Sequence, residues 1–135
     1  ASRVLPLIAH DFPFGTTPRR AIHAARQMGS GLPPTERVDS LIIDTSRASL
    51  RPTSEAKRRA YYSAMEAAKA AHEIGRSEHR LIDAARDAAR FAIDAACKTA
   101  HANGKDWLAC LEHETDWQHA ALTNRLNAIF AEIPN

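Results

Sequence analysis

The sequence predicts an all-α protein, a single-domain antiparallel helical bundle of about five to six helices over residues 1–135. Alanine supplies sixteen of the 47 residues from 56 to 102, and small inward side chains let helix axes approach closely. Start and stop signals recur along the chain with only a few residues between them. Such short connections leave no room for the crossovers of a parallel sheet and set neighbouring long helices up and down.

Pro6 fixes a bend or a first helical turn within residues 3–10. Asp11-Phe12-Pro13-Phe14-Gly15 then reads as a connector whose Phe12 and Phe14 seal one end of the core. Thr17 followed by Pro18 opens a second helix, with a cap oxygen and a proline at the first helical position, and Gly29-Ser30-Gly31 stops it. Ile22, Ala25 and Met28 are its apolar positions. After Pro33-Pro34, Val38, Leu41, Ile42, Ser49 and Leu50 fit helical spacing. Leu41-Ile42-Ile43 alone also fits a strand, and the longer pattern favours helix.

Thr53 after Pro52 caps a fourth helix running to Gly75, Ser77 caps a fifth running to Asn103-Gly104, and Lys105 or Asp106 opens a sixth ending near Pro134. In the fourth, Ala56, Ala60, Ala64, Ala67, Ala71 and Ile74 face inward, opposite Glu55, Arg58, Arg59, Glu66, Lys69 and Glu73. In the fifth, Arg80, Asp83, Asp87, Arg90, Asp94, Lys98 and His101 fall within an arc of about 80°. Leu81, Ala85, Ala88, Ala89, Ala92, Ala96 and Thr99 face away from that arc, so the two small faces are expected to meet. The alternating charges are a solvated face, each i, i+4 pair adding tenths of a kcal/mol. Arg20-Ala21-Ile22-His23-Ala24-Ala25-Arg26 recurs as Arg80-Leu81-Ile82-Asp83-Ala84-Ala85-Arg86, which is shared helix grammar rather than duplication.

Composition excludes several classes of function. Apolar residues make up 44% and charged residues 25%, values of a folding globular domain and not of a disordered tail. Lys and Arg number 18 against 16 Asp and Glu, interspersed, so the basic field of a nucleic-acid binder is missing. Lys57-Arg58-Arg59 with Tyr61-Tyr62 is the nearest basic and aromatic patch, and Glu55 and Glu66 dilute it. No window approaches the roughly 18 apolar residues of a membrane span. The opening run, cut by Pro6 and closed by His10 and Asp11, suits no signal-peptide core. Cys97 and Cys110 build neither a disulfide framework nor zinc spacing, and pairing between them is not expected. A cytoplasmic protein without cofactor follows as the expectation.

The sixth helix breaks the two-sided pattern. Leu108, Leu111, Thr115, Leu122, Leu126, Ile129 and Ile133 form its main apolar stripe, while Cys110, Trp117, Ala121 and Ala128 lie nearly opposite. Either the helix is sandwiched between two layers, the favoured expectation, or the second strip binds a partner through Trp117, rimmed by His113, Glu114 and Asn124. Phe91 similarly projects from the polar arc of the fifth helix and wants a lid, from a long side chain or the Phe12–Phe14 segment.

Glu112, Asp116 and His119, spaced i, i+4, i+7, share one face and are the alternative metal ligands, with His72 or His101 as donors from a second helix. His113-Glu114 lacks the second histidine of a zinc-protease helix. His72, beside Tyr61 and Met65, reads as a hydrogen-bonded edge histidine before it reads as a base. No nucleophile, base and orienting acid can be chosen together, and no glycine loop cradles a phosphate.

Val4-Leu5-Pro6-Leu7, the acidic proline-containing connector and Pro18-Arg19-Arg20-Ala21-Ile22-His23-Ala24-Ala25-Arg26 resemble the opening of the bacterial alanine-rich immunity proteins, the fifth class described in polymorphic-toxin systems. Ala67-Ala68-Lys69-Ala70-Ala71-His72, Asp83-Ala84-Ala85-Arg86-Asp87-Ala88-Ala89-Arg90 and Trp117-Gln118 with Leu122 are similar to that family's later helices. The resemblance implies an all-helical, non-catalytic protein that neutralises a cognate toxin by stoichiometric binding, with no catalytic residues to carry over.

Those readings converge on a binding protein that occludes a protein partner through its last two helices, with Trp117, His113, Asp116, His119 and Phe91 as contacts. A homo-oligomer is compatible with the same features. The alternative is a small helical enzyme or a ligand or metal carrier with a pocket between the C-terminal helices, using His72, His101, Glu112, Asp116 or His119. A nucleic-acid accessory protein is the third and weakest reading.

Overall fold

The computed structural model describes residues 2–8 and 16–133, so the expected role of Phe12 and Phe14 lies outside the described residues. Among them the chain forms six α-helices and no strand, an all-α helical bundle. A 3₁₀ turn, Ser2–Val4, runs into α1 (Leu5–Ile8), followed by α2 (Thr16–Gly29), α3 (Val38–Ala48), α4 (Glu55–His72), α5 (Glu78–Ala102) and α6 (Trp107–Ala131). No described helix is long and apolar enough to cross a membrane.

The boundaries follow local chemistry. Ser77 Oγ accepts from the Arg80 amide at 3.3 Å, and Asp106 Oδ1 accepts from the Leu108 and Ala109 amides at 2.9 and 3.4 Å, satisfying N–H groups that a helix start leaves bare. The cap of α4 is Ser54, whose Oγ accepts from the Lys57 amide at 3.5 Å, and not Thr53 as expected. Gly75 and Gly104, with φ of +74° and +70°, turn the chain after α4 and α5 in a conformation that L side chains resist. The aliphatic run Leu41-Ile42-Ile43 is helical, with Leu41 buried and Ile43 exposed.

The α4–α5 pair has the most extensive packing of the molecule. Ala60, Ala64 and Ala68 on α4 and Ala88, Ala92 and Ala95 on α5 are buried, and methyl-sized side chains allow the close approach that Ser63 Oγ uses to donate to the Ala88 carbonyl at 2.7 Å. On the other flank of α4, Ala68 packs with Ala21 and Ala24 of α2 and with Val38 and Leu41 of α3. Val4, Ile8, Ile22 and the fully buried Tyr61 close the opposite end. The buried row of α5 departs from expectation: Ala84, Ala88, Ala92 and Ala95 are inside, whereas Ala85 is exposed and Leu81 half-buried. The reason is incomplete cover, because Leu81 and Ala85 line an open groove and not a packed interface.

Candidate partner-binding surface on the last helix

The last helix contacts α5 and has no comparable second neighbour. Its docking face carries Cys110, Leu111, Glu114 and Gln118, the residues of α6 that are not exposed. Glu114 is the one buried residue of α6. Arg3 meets its carboxylate with two hydrogen bonds, Nη2 to Oε1 at 2.6 Å and Nε to Oε2 at 3.3 Å. Gln118 Nε2 donates to the Ala89 carbonyl of α5 at 3.0 Å. The helix is thus seated by these polar contacts beside the half-buried Leu111, and Glu114 belongs to that seat and not to an exposed rim. A carboxylate is taken out of water only where a cation and hydrogen bonds replace the water.

Of the apolar stripe, Leu111 is half-buried and the rest is turned away. Leu108, Leu122, Leu126, Ile129, Phe130 and Ile133 are all exposed, with Leu122 and Phe130 at 60% and 65%. The favoured expectation of a helix sandwiched between two layers is therefore corrected: α6 has one layer beneath it and solvent on its flank. From residue 119 onward every described residue of α6 is exposed, so this half overhangs the bundle.

Beneath the overhang lies an open groove of about 640 Å³ with a floor of alanine methyls, Ala67, Ala70 and Ala71 from α4 and Ala85 and Ala89 from α5, and with Trp117 and Leu122 on its α6 wall. Trp117 is 42% exposed, and the Arg3 guanidinium lies over its ring at 4.4 Å from the centroid. One arginine therefore holds both the buried carboxylate and the indole.

The expected contacts separate on the structure. His113 is exposed on the Trp117 flank, whereas Asp116 and His119 lie on the outward side of α6 and do not ring the indole. Phe91 is half-buried against Tyr62, ring centroids 5.3 Å apart, with the guanidinium groups of Arg59 and Arg90 at 5.8 and 5.2 Å from its ring. Its lid is intramolecular, and it belongs to the α4–α5 surface, across α5 from the Ala89 carbonyl that Gln118 caps.

Glu112, Asp116 and His119 are exposed, and among the described residues no group of three His, Cys, Asp or Glu side chains is assembled for a metal ion. His72 and His101 do not supply a second-helix donor. His72 shares a cleft with Arg80 and Asp83 at the start of α5, and His101 stands about 30 Å further along that helix. In the basic patch, Arg58 and Arg59 each lie 3.7 Å from the Glu55 carboxylate, and Arg58 also donates to the Pro52 carbonyl.

The sequence reading missed the contact between the two thiols. Cys97 is buried and Cys110 half-buried, one on each side of the α5–α6 junction. Burial, then the neighbouring Cys110 thiol, pushes the Cys97 thiol up to about 12. Both residues lie within about two turns of the short connector, a register that places them opposite each other. No family model, curated protein or solved structure matches this chain.

Proposed function

We propose that the protein is a non-catalytic binding protein of the immunity type, acting in the cytoplasm by stoichiometric capture of a toxin-like protein on α6. The exposed flank of Leu122, Leu126, Ile129, Phe130 and Ile133 carries this proposal. Contiguous apolar surface on a folded chain is characteristic of interaction sites, because leaving it wet forfeits transfer free energy that a partner recovers. These five side chains expose on the order of 400–500 Å², more than half of the roughly 800 Å² that one partner contributes to a standard interface. At about 25 cal/mol/Å² this is on the order of 10 kcal/mol gross, before the costs of association. Trp117 and His113 extend the surface on the opposite flank of the same helix.

The test is titration of the purified chain with the protein encoded beside its gene. A one-to-one complex should form, and Leu126→Asp with Ile129→Asp should weaken it at least about a hundredfold, the loss of two buried apolar anchors. A toxin-like neighbour bound equally well by this double variant would sink the assignment of the surface. Absence of any complex would sink the function.

The groove favours a second reading, a carrier of an apolar small molecule. Its volume lies within the range of ligand pockets, and its alanine floor offers dispersion contacts without polar recognition. Saturable binding of a hydrophobic fluorescent probe, abolished by Ala85→Phe but not by Leu126→Asp, would support it.

A further inference from the structure

We propose that a second copy of this chain covers the apolar flank of α6, the two last helices pairing antiparallel along residues 122–133 about a two-fold axis. The inference goes beyond partner capture: the same flank closes on itself when no partner is present, and capture must then displace the second copy. Three observations carry it, the spacing of the apolar residues, the order of the charges beside them and the area they expose.

Leu122, Leu126, Ile129 and Ile133 follow one another at intervals of four, three and four residues, the spacing of a coiled-coil seam, and all four are exposed. The bundle leaves this stretch bare, since every described residue of α6 from 119 onward is exposed. The spacing is symmetric about its own midpoint, between residues 127 and 128. Two helices run antiparallel about that midpoint set Leu122 against Ile133 of the second copy, and Leu126 against Ile129 of the second copy. A seam that reads the same from either end is what a two-fold interface between identical chains requires.

Beyond residue 118 the described part of α6 carries three ionisable side chains, His119, Arg125 and Glu132. Arg125 and Glu132 are exposed and stand seven residues apart, about two turns, and so lie on the same edge of the seam. In an antiparallel two-fold pair each edge meets its own counterpart in reversed order. Arg125 then comes beside Glu132 of the second copy, and Glu132 beside the second Arg125. A parallel pair would set like against like at both positions, so the charges select the direction of pairing.

Closing two such flanks on each other removes up to about 800–1,000 Å² of apolar surface, and the stems of Arg125 and Glu132 add to it. That total lies at the lower edge of stable interfaces, about 1,200 Å², so the pair is a dissociating dimer with a Kd of about 10–100 µM.

The experiment is sedimentation equilibrium of the purified full chain alone, at low ionic strength and at concentrations from about 1 µM to 1 mM. The expected result is a monomer–dimer equilibrium. Leu126→Asp should abolish pairing with an unchanged circular dichroism spectrum, because the side chain is exposed in the monomer. Arg125→Glu or Glu132→Arg alone should raise the Kd about tenfold, since each sets like charges side by side twice in the dimer, and the exchanged double variant should return it to within about threefold of the starting value. A chain that stays monomeric at the highest concentration, a dimer untouched by Leu126→Asp, or single charge reversals without effect or without rescue would overturn the proposal. A monomer that still captures the protein encoded beside its gene would overturn self-pairing and spare capture, whereas a dimer that captures nothing would do the reverse.

Discussion

Arg3 and Glu114 stand 111 positions apart in the chain and form a two-bond ion pair, Nη2 to Oε1 at 2.6 Å, that ties the N-terminal turn to the last helix. Glu114 is nearly enclosed while Arg3 keeps 37% of its side chain in solvent, so the pair is stronger than a surface bridge and weaker than a fully dry one. Glu114→Ala strands the guanidinium, and Arg3→Ala strands the carboxylate. Each is expected to lower stability by about 1–3 kcal/mol in urea denaturation, with a coupling energy of about 1–2 kcal/mol in the double-mutant cycle. A coupling near zero would mean that the pair does not seat α6.

Trp117 contributes little to the core, because its ring is partly open and the same arginine lies over it. Trp117→Ala should therefore lower stability by no more than about 1 kcal/mol, the scale of a cation–π contact at a partly exposed site. Capture of the partner should fall by tenfold or more, measured by calorimetry on the variant with unchanged circular dichroism. A collapse in melting temperature would instead assign the indole to the scaffold.

Alanines that look alike in the sequence should respond oppositely to enlargement. Ala64 is fully buried in the core, and Ala64→Leu should cost about 1–3 kcal/mol or more through overpacking. Ala85 is exposed on the groove floor, and Ala85→Leu should change stability by less than about 0.5 kcal/mol. Thermal denaturation of the two variants side by side checks the contrast.

The Cys97 thiol predicts an alkaline loss of stability. Its folded pKa, about 12 against the usual 9.0, means that between these values the unfolded chain has released a proton that the native chain still holds. The native state then binds more protons, so stability is fully present below about pH 9 and declines as pH rises toward 12. Cys97→Ala should flatten the slope of unfolding free energy against pH in that window, whatever its effect at neutral pH. An unchanged slope would locate the alkaline transition elsewhere.

Much of the architecture was readable residue by residue. Ser77, Asp106 and the glycines at 75 and 104 are local signals, and each fixes its helix end through bonds or dihedrals within a few positions. Alanine periodicity on α4 likewise points to its packed side, because a helix surface repeats every 3.6 residues wherever it is placed. The site was legible only in part. Trp117 was recognisable as out of place, but nothing in the sequence brings Arg3, 114 positions earlier, over its ring.

Sequence alone determined the helices, most of their limits and the small-residue character of the α4–α5 contact, since all three depend on neighbours close in the chain. Tertiary structure decided which side of α6 meets the bundle. By hydrophobic pattern the leucine stripe should have faced inward, yet only Leu111 of it is half-buried, and Glu114 and Gln118 take the inner face because Arg3 and the Ala89 carbonyl wait there as partners. Burial of a polar face depends on complementary groups brought from distant positions, and only the folded chain reveals whether they arrive.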